Sequence, residues 1–274
     1  MANSTTLVTG GTGKTGSRVA ERLWALGRSV RLGSRSGSPP FDWEAPSTWP
    51  AAVHGIRSIY LSYYPDLAAP GAADAISAFT ELAVKSGALR MVLLSGRGEP
   101  EAARCEEIVR SAALEWTILR ASLFNQNFSE NYLVEPLLAG EVALPAGDVP
   151  EPFVDADDIA DVAVAALTGR GHAGQIYEVT GPRLWTFAEA VGEIAQATGR
   201  DIRYVDVPIE AYASALNDAQ LPPESVALMT HLFTEVLDGR NACVADGVKR
   251  ALGRPARDFA SYVRDTADTG VWSA

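Results

Sequence analysis

The chain has 274 residues, 47% hydrophobic and 21% charged, a globular composition long enough for one large domain or two small ones, which excludes wholesale disorder. Its 23 basic and 34 acidic residues give a net charge of −11, and the lysines, Lys14, Lys85 and Lys249, are dispersed. Such a surface repels phosphate backbones and anionic lipid, which excludes nucleic acid and membrane as partners and leaves a small molecule. Residues 6–8 read as a short buried strand ending in glycines, and Val19, Leu23 and Leu26 then recur at helical spacing up to Gly27. Strands follow at 30–32, 58–61, 90–94 and 116–119. Between them lie a Gly/Ser/Pro loop at 34–40, a helix with the stripe Ile76, Phe79, Leu82 and Ala83, and a charged helix at 101–112. Strands separated by helices of this length predict an α/β fold, a doubly wound parallel Rossmann sheet.

After Arg120 the pattern changes. Asp155, Asp157 and Asp158 precede the apolar face Ile159, Val162, Ala163 and Ala166, so helix capping explains them better than a metal cluster does. A strand at 176–179 is followed by a mainly helical region, with stripes at Phe187, Val191, Ile194 and Ala195 and over 226–237. The expected domains are a Rossmann domain over 1–180 and a smaller substrate-capping lobe over 181–274. Cys105 and Cys243 stand alone, with no histidine at metal spacing. That excludes a zinc ribbon, a Cys-x-x-Cys redox pair and a disulfide scaffold, and fits a reducing cytoplasm. No basic residue precedes Lys14, so the N-terminus does not read as a signal peptide. No apolar run reaches the ~18 residues of a membrane span.

The first strand–helix turn carries the most chemistry. Gly10, Gly13 and Gly16 are spaced for a tight turn, close approach of a pyrophosphate, and close packing of helix on strand. The helix that follows offers free N–H groups and partial positive charge to phosphate. A P-loop is excluded, because Gly13-Lys14-Thr15 has no glycine at position 8. The end of the second strand selects the dinucleotide. An NAD site places an acid there for the ribose hydroxyls; this chain has Gly33-Ser34-Arg35-Ser36 and no acid before Asp42. Arg35 can pair with a 2′-phosphate, and Ser34 and Ser36 can donate to it, so NADP(H) is expected over NAD(H).

The glycine turn over 8–16 and the Ser34-Arg35-Ser36 loop resemble the NmrA-like branch of the atypical short-chain dehydrogenases. So do Phe41-Asp42-Trp43, Leu93-Leu94-Ser95, Leu119-Arg120, Phe124-x-x-Asn127-Phe128 and Pro152-Phe153-Val154-Asp155. Within that branch the chain is most similar to the reductases related to the festuclavine dehydrogenase of ergot alkaloid synthesis. The resemblance implies that Thr12, Gly13, Lys14 and Thr15 meet the pyrophosphate, and that Ser34 and Arg35 meet the adenosine phosphate. It puts Asp42 and Trp43 beside the adenine, Ser62, Tyr63, Tyr64, Ser95 and Gly96 on the nicotinamide side, and Phe124 and Asn127 at the substrate. Tyr64, Phe124 and Tyr132 could stack on a flat substrate, and core packing explains each equally well.

Most short-chain dehydrogenases use a Tyr-x-x-x-Lys pair, in which the lysine lowers the tyrosine pKa for proton donation. Here the residues four before the lysines are Gly10, Glu81 and Ala245, so the pair is absent. The helix after Ser95 reads Arg104-Cys105-Glu106-Glu107 where several relatives carry a basic residue. No catalytic residue is evident; Ser95 and Asn127 are the candidates that remain. The expectation is hydride transfer from NADPH to a planar, electron-poor acceptor: an iminium ion, a quinone or an activated double bond. The alternative is a regulator that binds NADP(H) without turnover.

Overall fold

The computed structural model describes residues 5–273. In chain order the elements are β1 (Thr5–Thr9), α1 (Lys14–Ala25), β2 (Val30–Gly33), α2 (Trp49–Val53), β3 (Ile56–Leu61), α3 (Ala72–Lys85), β4 (Arg90–Gly96), α4 (Pro100–Arg110) and β5 (Glu115–Ala121). They continue with α5 (Val134–Ala139), β6 (Glu141–Leu144), α6 (Ala156–Thr168), β7 (Gln175–Val179), α7 (Phe187–Thr198), β8 (Arg203–Asp206), α8 (Ile209–Asp218), α9 (Pro223–His231), α10 (Gly247–Leu252) and α11 (Phe259–Ala267). Six strands form one parallel sheet in the order β2-β1-β3-β4-β5-β7, the doubly wound Rossmann-like arrangement expected. The chain leaves β1 for β2 on one side and reaches β3 on the other. That makes a switch point, where ligands of such sheets bind outside the carboxyl ends of the strands. Among the described residues no helix is long and apolar enough to cross a membrane.

The two lobes do not follow one another as 1–180 and 181–274. One unit takes residues up to 121, 156–179 and 246–255; the other takes 122–155, 180–245 and 256 onward. Burial explains the exchange. Phe128 and Phe153 are nearly fully buried in a cluster with Phe187 and Phe259, so the segment before α6 belongs to the second core. Conversely, α10 packs on β7 so closely that a Cβ on Gly247 would lie 2.1 Å from the Glu178 carbonyl oxygen.

In the first unit the rings of Phe41, Trp43, Trp49 and Phe79 pack together, with centroids of contacting pairs 4.9 to 6.4 Å apart. Leu26, expected on the stripe of α1, is exposed because the helix ends one residue earlier. In the second unit β6 and β8 form a separate two-stranded parallel sheet that periodicity did not reveal. The helix expected over 226–237 stops at His231, and Leu232–Val236 winds on as a π-helix. The acids in the first turn of α6 hold arginines. Asp157 pairs with Arg22 at 2.6 Å and Asp158 with Arg254 at 2.6 Å. Among the described residues no acid, histidine and cysteine group could hold a metal.

Candidate active site

All the expected cofactor residues lie in the first unit, and Phe124, Asn127 and Tyr132 lie in the second. The glycine turn is built as its chemistry requires. Gly10 has φ +62°, which favours glycine. A Cβ on Gly16 would lie 2.1 Å from the Gly10 carbonyl oxygen, so only glycine lets α1 start against the strand. Gly13 differs: its φ is −86°, and its Cβ would meet nothing closer than that same oxygen at 3.3 Å. α1 has no side-chain cap and no acid in its first turn, so its amides and positive end stay open to an anion. Thr12 and Gly13 are exposed beside it, Lys14 is half-buried and Thr15 buried. The Tyr60 hydroxyl, fully buried and facing Thr15, has no well-formed hydrogen bond. An uncapped helix end, a glycine cradle and an orphaned hydroxyl together fit a dinucleotide pyrophosphate.

The end of β2 abuts this turn, since the Gly11 amide donates to the Gly33 carbonyl at 3.3 Å. Arg35 is exposed and, among the described residues, holds no ion pair. The Ser34 and Ser36 hydroxyls lie 3.4 Å apart beside it. The Asp42 carboxylate accepts from the Glu44 amide at 3.1 Å. Trp43, expected beside the adenine, is spent on the core: it is 9% exposed, and its indole N–H donates to the Ser62 carbonyl at 3.2 Å. The Ser62 Oγ would lie 3.5 Å from a Cβ on Gly10, so the structure does bring Ser62 to the glycine turn. Tyr63 lies against Trp43, while Tyr64 is 69% exposed.

Ser95 is a structural residue. Its hydroxyl is buried and donates to Glu106 at 2.7 Å, while Arg120 donates to both oxygens of that carboxylate. Arg120 also approaches Glu178 at 3.7 Å, and the buried Arg97 reaches Glu178 at 3.2 Å. Glu106 holds the Arg120 guanidinium above its usual pKa. A serine inside such a network has no hydroxyl to spare for catalysis.

Sequence reasoning missed Glu99, a neighbour of Gly96, and Asp66, whose charge acts on Glu99. Glu99 folds back over Gly96, so that a Cβ on Gly96 would lie 2.2 Å from Glu99 Oε1. Asp66, which follows β3, adds its negative charge to Glu99. Burial first, then the charges of Asp66 and Glu101, push the Glu99 carboxyl up to about 8. Each acid alone reads as local geometry. Asp66 accepts from the Ala68 amide at 2.8 Å, and Glu99 precedes the helix-starting Pro100.

In the second unit Phe124 bridges to Val154 and Asn127 is half-buried in the following turn. The two residues between them are buried. Gln126 donates to Asp155 at 3.0 Å, and neither atom of the Asn125 amide has a partner. The Tyr132 hydroxyl is also buried without a partner, and burial raises its pKa. A groove of about 680 Å³ runs between α3 and α4, floored by Val84, Ile108 and Ala112, and none of the expected site residues lines it.

The NmrA-like family model matches residues 101–250. The chain is 31% identical to an NAD(P)H azoreductase of Xenophilus azovorans, over 94% of this chain and 96% of that one. It is 30% identical to the festuclavine dehydrogenase of Aspergillus fumigatus, again over 94% and 96%. A crystal structure of the Citrobacter triphenylmethane reductase with NADP(H) shares the fold, with a TM-score of 0.77 at 18% identity over 96% of this chain and 99% of that one. The chain belongs to the NmrA-like family.

Proposed function

We propose that this chain, a reductase of the NmrA-like family, uses NADPH to reduce a planar, electron-poor small molecule such as an iminium ion, a quinone or an activated double bond. The observation that carries the cofactor choice is the unpaired Arg35 at the end of β2, beside the uncapped start of α1 and with no acid in the loop. The acceptor class draws support from relatives named for azo compounds, an ergot alkaloid and triphenylmethane dyes. Gly10, Thr12, Gly13, Lys14, Thr15 and Gly16 would hold the pyrophosphate, and Ser34, Arg35 and Ser36 the 2′-phosphate. When bound, NADPH supplies the hydride. The protein orients the acceptor and excludes water, with Tyr64, Phe124, Asn127 and Tyr132 as the proposed substrate contacts.

Arg35→Ala tests the cofactor assignment. A charge-assisted contact to phosphate is worth roughly 1.5–3 kcal/mol, so NADPH affinity is expected to fall about ten- to a hundred-fold while NADH affinity holds. Equal losses in the two titrations would remove Arg35 as the discriminating residue.

The tyrosines also give a definite expectation. With no Tyr-x-x-x-Lys pair, none has a lysine placed to acidify it, and where Arg250 lowers Tyr177, burial outweighs it. Burial raises the pKa of Tyr60, Tyr63, Tyr132, Tyr177 and Tyr262, and takes Tyr204 and Tyr212 up to about 12. Each is a weaker acid than in water. Single-turnover hydride transfer is therefore expected to survive every Tyr→Phe change. Positioned acid catalysis is worth about 10²–10⁴-fold, so a drop of about 10³-fold in any variant that still binds NADPH would identify a tyrosine acid and contradict this reading.

A further inference from the structure

α3 and α4 follow the neighbouring parallel strands β3 and β4, and between them lies the groove of about 680 Å³, a volume that suits a small molecule. Val84, Ile108 and Ala112 make its floor apolar. Two polar groups on its walls are left unused by the fold. Thr80 lines the groove, is 3% exposed, and its hydroxyl has no hydrogen-bond partner. Helical threonines elsewhere in this chain donate to the carbonyl four residues back, as Thr168, Thr198 and Thr230 do at 2.7 to 2.8 Å, and Thr80 does not. A buried hydroxyl left in this way costs roughly 1–3 kcal/mol, and an acceptor in the groove would remove that cost. The charged side chains of the lining are Glu81, Lys85, Arg104 and Glu107. Glu81 pairs with Lys85 at 3.2 Å, and Glu107 with Arg110 at 3.0 Å. Arg104 is exposed and, among the described residues, holds no ion pair. The groove thus offers one uncommitted cation and one uncommitted O–H donor beside an apolar floor, and the complement of that set is an apolar body with a single negative charge.

We propose that the groove between α3 and α4 is a second small-molecule site, one that binds an apolar acid: a ring system bearing one carboxylate or sulfonate. The anionic group accepts from the Thr80 hydroxyl and faces the Arg104 guanidinium, while the rings cover Val84, Ile108 and Ala112. Burial of the rings supplies most of the affinity, and the charge supplies the selectivity. A neutral molecule of the same shape leaves both polar groups as they were, and a cation meets Arg104 with like charge. Glu81 and Glu107 do not oppose the acid, because each is already neutralised by its own partner. None of the residues assigned to NADPH or to the hydride acceptor lines this groove, so the site goes beyond the reductase reading and stands or falls without it.

The test is a fluorescence titration of the full chain with two matched probes, anilinonaphthalene sulfonate and its uncharged counterpart N-phenyl-1-naphthylamine. NADP⁺ is kept in excess so that the glycine turn is filled. The wild type is expected to bind the sulfonate more tightly than the neutral probe. Thr80→Val should weaken the sulfonate at least about ten-fold and leave the neutral probe unchanged, because a hydrogen bond to a charged group is lost. Arg104→Gln should weaken the sulfonate about two- to five-fold, the smaller effect of an exposed charge. Ala112→Trp fills the floor and should abolish binding of both probes. Melting scans check the variants: Thr80→Val should melt no lower than the wild type, since it removes a buried hydroxyl that the fold leaves without a partner. Failure of the sulfonate to bind, equal affinity for the two probes, or sulfonate binding that survives Thr80→Val and Ala112→Trp overturns the proposal. The reductase reading is untouched by any of these results, because hydride transfer is measured separately.

Discussion

Gly13→Val is expected to leave the protein folded and to weaken NADPH binding at least about 100-fold, a loss of roughly 2.7 kcal/mol. The backbone permits the change: φ at Gly13 is −86°, and a Cβ there would meet only the Gly10 carbonyl oxygen at 3.3 Å. The branched side chain then stands over the open amides of α1, where the pyrophosphate must approach. Gly16→Val is the contrast. Its Cβ would sit 2.1 Å from the Gly10 oxygen, so it should unseat α1 and destabilise the fold itself. Circular dichroism with a fluorescence titration separates the two. A folded Gly13→Val protein that binds NADPH as tightly as wild type would move the cofactor away from this turn.

Arg120→Met should cost about 3 kcal/mol of stability. Glu106 is 2% exposed, and Arg120 supplies hydrogen bonds to both its oxygens at 2.7 to 3.1 Å. Methionine keeps the stem and removes the charge, so a buried carboxylate is left with the Ser95 hydroxyl as donor. Breaking a buried pair in this way costs roughly 3–5 kcal/mol; the lower end applies because Arg120 is 31% exposed and water can reach the site. At about 2–4 °C per kcal/mol for a chain of this size, the melting temperature should drop roughly 6–12 °C. Adding Glu106→Gln should recover part of the loss, because the neutral amide no longer needs the guanidinium. A shift within about 1 °C for Arg120→Met would mean the network contributes nothing to the fold.

The parallel sheet was legible because it is buried on both faces, so its strands read as short apolar runs between helices of matching length. The glycine turn was legible because each glycine answers a separate steric demand, and the Gly16 contact bears that out. The lobe boundaries were not. Nothing in the segment 122–155 announces that Phe128 and Phe153 pack into the second core rather than the first. β6 and β8 span four residues each and pair only with one another, too short for alternation to register. Trp43 shows the limit for aromatics: a ring in a loop looks the same whether it meets a ligand or fills a core, and here it fills a core. Ser95 reads as an exposed strand end because its partner Glu106 lies eleven residues on, across the β4–α4 turn. Asp66 acts on Glu99 from 33 residues away in the chain, a proximity that spacing cannot express.

The central claim is that this chain turns NADPH over. Protein loaded with NADPH is mixed in a stopped-flow cell with a quinone, an iminium salt and an activated alkene in turn, and loss of the reduced nicotinamide absorbance is followed through one turnover. The account predicts oxidation with at least one of the three, and an acceptor order that shifts when Tyr64, Phe124 or Asn127 is replaced. Tight NADPH binding with no oxidation by any of them would contradict it and leave a protein that senses the cofactor without using it.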